Sequence, residues 1–446
     1  MAPGFAYERY QGVYQRKLTD ADSAVERIAD GSAVALSQAA SQPPELMRAL
    51  ADRARAGDVD GVRLYYFHAE EPMRRTLLQY ELMGRIRPYS FFFQRAEREL
   101  AARAEKDGIG KVVHYVPSHF SQASRLFAEQ VPVDTFLVTV SPMDEHGWFT
   151  FGTNNDYTSS VARQARRLIV EVNPRMPRVF GHSSLHISEV DAVVEHEAPL
   201  PELSPRPVHP QERQIAERIA ELVPEHACLQ IGVGGLPNAV CEALKDREGL
   251  GVHTEVLTPG LAELISSGAA TGSHKSVNRG KAVFTFAMGD EPFYRFMDGN
   301  LALESHPVGY VNDPSVIARN DRVVSVNSTV EMDLTGACNS EYLGGHQFTA
   351  TGGQVDFVRG AYASRGGRSV MAFQSTARGG TVSKLVPRLS GPVTTPRTDV
   401  HYVVTEYGAA NLKGLASAER AEALIALAHP DFRDELTAAA REQHLL

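Results

Sequence analysis

The chain has 446 residues, a formal net charge of -9 and an ordinary globular composition, 43% hydrophobic and 22% charged. That length predicts two or three domains with sizeable cores, and the mild acidity excludes the basic excess of a nucleic-acid binder. No apolar run approaches the ~20 residues of a membrane span, and residues 1–9 lack the basic and then apolar layout of a leader, so a cytoplasmic protein with no membrane partner is expected.

Short β-rich runs alternate with amphipathic stretches along the chain. Strands are predicted at 33–36, 62–66, 112–116, 135–140, 167–172, 228–231, 323–326, 369–373 and 401–405. Between several of them the sequence has helical spacing, as at 44–54 and 211–222. Strand–helix alternation of this kind builds α/β domains around parallel or mixed sheets. Residues 195–210 hold five prolines in sixteen positions, which no regular element tolerates, so this stretch reads as an extended linker. The expected division is a first domain at 1–198, a proline-rich linker at 199–210 and a second domain at 211–446. Each half opens with a strand, a turn of small residues, a proline and a helix (from Ala35 and from Leu229), which suggests a duplicated domain.

The three cysteines, Cys228, Cys241 and Cys338, are far apart with no Cys-x-x-Cys pair. They read as buried thiols and indicate neither a disulfide framework nor a zinc site. The segment Ser141-Pro142-Met143-Asp144-Glu145-His146-Gly147-Trp148 gathers acids, a histidine and the only tryptophan, but matches no usual zinc spacing and reads as a structured turn. Gln230-Ile231-Gly232-Val233-Gly234-Gly235-Leu236-Pro237 follows an apolar strand and opens a helix. Its glycines let backbone N–H groups approach a ligand, and the helix N-terminus favours an anion. The spacing is neither a Walker loop nor the dinucleotide fingerprint, and a plain tight turn is the alternative. Next comes the strand that carries His253-Thr254-Glu255 into a Pro259-Gly260 turn. A carboxylate there is either a base or covalent nucleophile or a solvated strand-end glutamate. The pairs Gly352-Gly353 and Gly379-Gly380 present either oxyanion donors or hairpin and bulge glycines.

Taken in order, Ser-Pro-Met-Asp-Glu-His-Gly (141–147), Glu-Val-Asn-Pro-Arg-Met-Pro (171–177), Gly-Val-Gly-Gly-Leu-Pro (232–237) and Gly-Val-His-Thr-Glu-Val (251–256) form a specific series. Val-Asn-Ser-Thr-Val-Glu-Met-Asp-Leu-Thr-Gly (326–336), Gly-Gly-Gln-Val-Asp-Phe (352–357) and Val-Thr-Glu-Tyr-Gly-Ala-Ala-Asn-Leu-Lys-Gly (404–414) continue it. Over nearly the whole chain this series resembles the acetyl-CoA hydrolase/transferase family, with its 4-hydroxybutyrate, acetate and butyrate CoA-transferases. The resemblance implies an α/β fold of two similar CoA-transferase-type (NagB/RpiA-like) domains, with mixed parallel sheets flanked by helices. It also implies a site between the domains and a homo-oligomer, a dimer or higher.

For the site, the resemblance places the catalytic glutamate on Glu255 and the coenzyme A contacts on Gln230, Gly232, Val233, Gly234, Gly235, Leu236 and Gly353. Asn339 and Gly380 follow as oxyanion contacts in catalysis. The implied partners are an acyl-CoA and a small carboxylic acid, with the CoA thioester as substrate and no metal or permanently bound cofactor. The acids Glu331, Asp333, Asp356 and Glu406 lie in matching motifs and read as structural or supporting. His253 either orients Glu255 or packs nearby. One departure is the loop Ser37-Gln38-Ala39-Ala40-Ser41-Gln42-Pro43-Pro44, where many relatives have glycine and a single proline. Its side chains are expected to narrow or reshape the acyl pocket, which leaves 4-hydroxybutyrate, acetate, butyrate, succinate and itaconate as acceptors. Competing activities are hydrolysis of acyl-CoA by the same glutamate, non-catalytic metabolite binding and sugar-phosphate isomerisation on a related fold.

Overall fold

The computed structural model describes residues 7–203 and 207–446. Residues 1–6, which carry most of the expected absence of a leader, and 204–206 of the proline-rich stretch lie outside the described residues. The chain divides into two compact units. The first comprises 7–118, 122–203 and 284–309, and the second 119–121, 207–283 and 310–446.

The first unit is built on a sheet of seven strands. These are β1 (Ala33–Leu36), β2 (Val62–Tyr66), β3 (Ile86–Ser90), β4 (His114–Tyr115), β5 (Thr135–Val140), β6 (Arg167–Val172) and β7 (Ala192–Glu195), in the order β4-β3-β2-β1-β5-β6-β7. Every pairing is parallel. Parallel strands are covered on both faces, so they read as continuous apolar runs, and all six residues of β5 are buried. Helix α1 (Pro44–Ala56) follows β1. Proline in its first turn suits the missing N–H, Gly57 ends it at φ +88°, and Leu46, Met47, Leu50 and Ala54 form its buried face.

The second unit carries β8 (Cys228–Ile231), β9 (Gly251–Val252), β10 (Val323–Asn327), β11 (Arg368–Ala372), β12 (Tyr402–Thr405) and β13 (Gly408–Asn411) in the order β9-β8-β10-β11-β12-β13. Only the β12–β13 pairing is antiparallel. Helix α2 (Gly235–Ala243) follows β8, and α3 (Gln354–Ala363) precedes β11. In each sheet the strand order reverses direction once, between β1 and β5 and between β8 and β10. Ligands of open α/β sheets bind outside the carboxyl ends of strands at such points.

Of the strands named above, β3, β7 and β13 escaped sequence reading, the first two for identifiable reasons. β3 contains Pro88 and an exposed Arg87, and proline argues against an interior strand. β7 runs straight into the proline-rich stretch, which has no regular element at 196–203 or 207–209. The run at 112–116 pairs only at His114 and Tyr115.

Candidate active site

The carboxyl end of β8 leads into the glycine turn. Gly234 stands at φ +132°, ψ -176°, a conformation that is essentially glycine-only. Val233 is 49% exposed. Helix α2 starts at Gly235 without a side-chain cap, so its first N–H groups have no intrahelical acceptor. Gln230, one residue before the strand end, is buried, and its Oε1 accepts from Asn327 Nδ2 at 3.1 Å. Strand β9 pairs beside β8 in the register Leu229 to Val252, and the His253 N–H donates to the Leu229 carbonyl at 3.0 Å. That register brings Glu255 to the same end of the sheet as the glycine turn.

Glu255 makes no ion pair among the described residues. Its Oε2 accepts a 2.6 Å hydrogen bond from Asn312 Nδ2. Gly353 is pressed against it. A Cβ on Gly353 would lie 1.9 Å from Glu255 Oε2 and 2.2 Å from Asn312 Nδ2, so only glycine fits. Because Gly353 is also the N-cap of α3, the Glu255 carboxylate stands at a helix N-terminus, where negative charge is favoured. Asp356, in the first turn of α3, accepts from Ser121 N at 3.1 Å and Ser121 Oγ at 2.8 Å.

Protein atoms crowd both carboxyls. Burial pushes Glu255 up to about 7. The Asn312 hydrogen bond opposes the rise and the Asp356 charge adds to it. Burial likewise pushes Asp356 up to about 6, against its Ser121 bonds and the His119 charge. A partly open carboxylate, free of any cation and titrating near neutrality, is suited to nucleophilic or acid–base work.

The other expected residues are placed as follows. Gly380, at φ +93°, sits in a short helical turn between the paired strands Thr376–Ala377 and Val382–Ser383. It lines a cavity of about 490 Å³ with Gln374, Arg378, Glu406 and Tyr407, and Glu255 is not among the lining residues. Glu406 holds Ser375 through its N–H at 2.9 Å and its Oγ at 2.6 Å. Asn339 is fully buried. Its Nδ2 donates to Glu331 Oε1 at 2.8 Å and to the Tyr342 carbonyl at 2.9 Å. Its Oδ1 accepts from the N–H groups of Glu341 and Tyr342. Both amide hydrogens are therefore spent within the unit, and Asn339 as found has none for a substrate oxygen. Asp333 caps the turn at Thr335 and Ala337. His253 is buried, 2.8 Å from the Val311 carbonyl through Nε2, and packs near the rings of Tyr310 and Phe357. It therefore anchors the residue before Asn312.

The loop at 37–44 packs into the first unit. Ser37, Gln38, Ser41 and Gln42 are all buried, and each donates a side-chain hydrogen bond inside that unit, while Gln38 Oε1 has no partner. Ser37 Oγ donates to the Ser41 carbonyl, Gln38 Nε2 to Asp156 at 3.1 Å, and Gln42 Nε2 to the His68 carbonyl at 2.7 Å. The turn at 144–148 is organised by Asp144, whose Oδ1 accepts from the N–H groups of His146 and Trp148. All three cysteines are buried and free. Sequence reading passed over Asn312, because a lone asparagine in Val-Asn-Asp-Pro carries no spacing signal. Asp356 was set aside as supporting.

Comparisons with known proteins point the same way. The acetyl-CoA hydrolase/transferase N-terminal domain model matches residues 5–202, and the C-terminal domain model of the same family matches 289–440. The chain is 41% identical over 441 residues to the succinyl-CoA:cyclohexane-1-carboxylate CoA transferase of Geobacter metallireducens, covering 98% of each. It is 38% identical over 430 residues to the 4-hydroxybutyrate coenzyme A transferase of Clostridium kluyveri, covering 96% of this chain and 98% of that one. Among solved structures, RipA from Yersinia pestis superposes with a TM-score of 0.96 at 56% identity, covering 98% of this chain and all of the other.

Proposed function

The chain belongs to the acetyl-CoA hydrolase/transferase family, and from that membership we propose that it is an acyl-CoA:carboxylate CoA-transferase whose nucleophile is Glu255. The observation that carries this reading is the geometry at Glu255. It is a carboxylate without a counter-cation, gripped on one oxygen by Asn312, at the end of the sheet where the glycine turn exposes its backbone. Substrates are an acyl-CoA donor and a small carboxylate acceptor of the 4-hydroxybutyrate, acetate, butyrate, succinate or itaconate class.

Glu255 attacks the thioester carbonyl through its ungripped Oε1. The acyl oxyanion collapses, CoA thiolate leaves, and an acyl–glutamyl anhydride remains. Thiolate then adds to the glutamyl carbon and releases the first acid, which leaves a glutamyl-CoA thioester. The second acid runs the same steps in reverse. The energy of the thioester is conserved at each exchange. Contacts to the remote part of CoA, placed on the glycine turn at 232–236, drive the strained steps, and exclusion of water protects the anhydride. For the acyl oxyanion the family resemblance implies main-chain N–H groups near Gly380, which lines a cavity that Glu255 does not. Asn339 would first have to release Glu331 or Tyr342, so we leave it out.

The test is a covalent one. Incubation with acyl-CoA and no acceptor should place CoA in thioester linkage on the peptide carrying Glu255, read by mass spectrometry. Glu255→Ala should bind CoA, show no adduct and lose transfer. Full transfer by that variant would end the proposal. CoA release that is unchanged by added carboxylates would identify a hydrolase instead.

A further inference from the structure

Residues 119–121 are remote from α3 in sequence, yet within the second unit they lie against its first turn. Phe120 is buried, and its N–H donates to the Gly352 carbonyl at 3.0 Å. Ser121 then takes both oxygens of Asp356, Oδ2 through its N–H at 3.1 Å and Oδ1 through its hydroxyl at 2.8 Å. These bonds grip the start of α3 on either side of Gly353, the residue pressed against Glu255 Oε2. Asp356 is itself buried, and a buried carboxylate is costly unless something compensates its charge. The groups around it are the Ser121 N–H and hydroxyl, the His119 ring and the Glu255 carboxyl, and among the described residues no Lys or Arg pairs with either acid. Two hydrogen bonds to the ionised form favour negative charge on Asp356, and that charge disfavours a second one on Glu255. Burial and the Asp356 charge act on Glu255 in the same direction.

We propose that Asp356, held by Ser121, is a positioning residue that drives Glu255 into its covalent forms: its fixed negative charge raises the free Glu255 carboxylate relative to the anhydride and the thioester, in both of which Glu255 is uncharged. This rests on Glu255 being the nucleophile. When Oε1 bonds to the acyl carbon and the C–S bond breaks, negative charge moves from the carboxyl pair to the CoA sulfur. Thiolate then bonds to the glutamyl carbon, the bond from that carbon to Oε1 breaks, and the charge departs with the first acid as its carboxylate. If thiolate instead attacks the acyl carbon, Glu255 is the leaving group, and two negative charges are again buried side by side. The Asp356 charge therefore favours the opening that carries the exchange forward. Protonation and acylation discharge the same carboxylate, so one neighbouring charge moves both equilibria by similar factors.

The experiment compares the wild type with Asp356→Asn and Ser121→Ala on two readouts. Asparagine keeps an oxygen for the Ser121 N–H and can donate to the Ser121 hydroxyl, so the contact keeps its shape and loses its charge. The acid limb of kcat/KM for acyl-CoA should move down by about one pH unit, because removal of a like charge lets Glu255 ionise more readily. On the alkaline plateau, enzyme is equilibrated at a fixed ratio of acyl-CoA to free acid, and the fraction with CoA in thioester linkage on Glu255 is read by mass spectrometry. The loading equilibrium of Asp356→Asn should be about tenfold weaker, the counterpart of one pH unit. Ser121→Ala removes a bond to ionised Asp356, makes that acid easier to protonate, and should move the acid limb the same way by less. His119 is common to all three proteins, so its ionisation drops out of the differences. A merely structural contact would lower the melting temperature and leave the acid limb and the loading equilibrium in place, and that result overturns the proposal. A shifted limb in Asp356→Asn with unchanged loading overturns it as well. Should Asp356→Asn fail to fold, the acid limb of Ser121→Ala decides alone, and an unmoved limb overturns the proposal. Absence of any thioester on wild-type Glu255 is a different outcome, because it removes the nucleophile itself.

Discussion

The loop that closes β1 and the loop that closes β8 occupy equivalent places, each at a point where its sheet reverses order and a helix begins, yet they are finished in opposite ways. After β1 the chain places Ser37, Gln38, Ser41 and Gln42, all buried and hydrogen-bonded within the unit. The N-terminus of α1 is occupied by the protein itself. Glu171, from the end of β6, accepts through Oε2 from the N–H groups of Glu45 at 3.0 Å and Leu46 at 2.9 Å. After β8 the chain places glycines, the helix has no side-chain cap, and Val233 points outward. A helix N-terminus attracts an anion in either case. In the first unit the Glu171 carboxyl group takes those N–H groups, and the position becomes scaffold. In the second nothing internal does, so the position stays open to a ligand, and a reactive carboxylate stands at the end of the neighbouring strand.

If this contrast is right, a methyl group should be ruinous on one side and unremarkable on the other. The largest effect is expected from Gly353→Ala, whose Cβ would overlap Glu255 Oε2 and Asn312 Nδ2. Transfer should fall by about 10²–10³ fold, as when a transition-state donor is displaced, with the far-ultraviolet circular dichroism unchanged. An active Gly353→Ala enzyme would remove the Glu255–Asn312 pair from the chemistry. The next effect is on pH. Glu255 must be ionised to attack, and burial holds its carboxyl up to about 7. Below that value kcat/KM for acyl-CoA should therefore fall about tenfold per pH unit, with a plateau above it. A profile flat down to pH 5 would mean that another group is the nucleophile.

The alternation of elements and the glycine turn were legible because parallel strands buried on both faces write continuous apolar runs, as in β5. Pro88 hid β3, and the proline-rich stretch hid β7, because local chemistry there argues against the element that tertiary pairing imposes. At the site, Glu255 was legible only through its motif series, since one strand-end glutamate has no spacing signature. Asn312 was not legible at all. Its place beside Glu255 is set by tertiary packing, with His253 holding the neighbouring Val311 carbonyl from a distant segment. The polar loop at 37–42 was legible as polar but not as buried, because sequence alone does not say which way a glutamine turns.

The smaller predictions test the scaffold side. Gln38→Leu removes one of the hydrogen bonds to the buried Asp156 carboxylate, and a lost bond to a buried charged group costs about 2 kcal/mol. Its melting temperature should drop while kcat stays at the wild-type value, and a changed acceptor preference would return this loop to the acyl pocket. The last effect is that of Glu171→Gln on stability, and its size depends on pH. Burial pushes the Glu171 carboxyl from its ordinary range up to about 8, with its two backbone bonds opposing. The folded chain therefore holds a proton there that the unfolded chain has lost, and wild-type stability falls as pH rises from about 4.5 through 8. Glutamine keeps an oxygen for the Glu45 and Leu46 N–H groups and removes the titration. The variant should match the wild type near pH 4.5 and exceed it at pH 9 in urea unfolding. Should the variant instead lose stability at pH 7, Glu171 is ionised there in the folded protein. The α1 N-terminus would then hold a charge as the α2 N-terminus is expected to do, and the contrast between the two loops would narrow to which molecule supplies the anion.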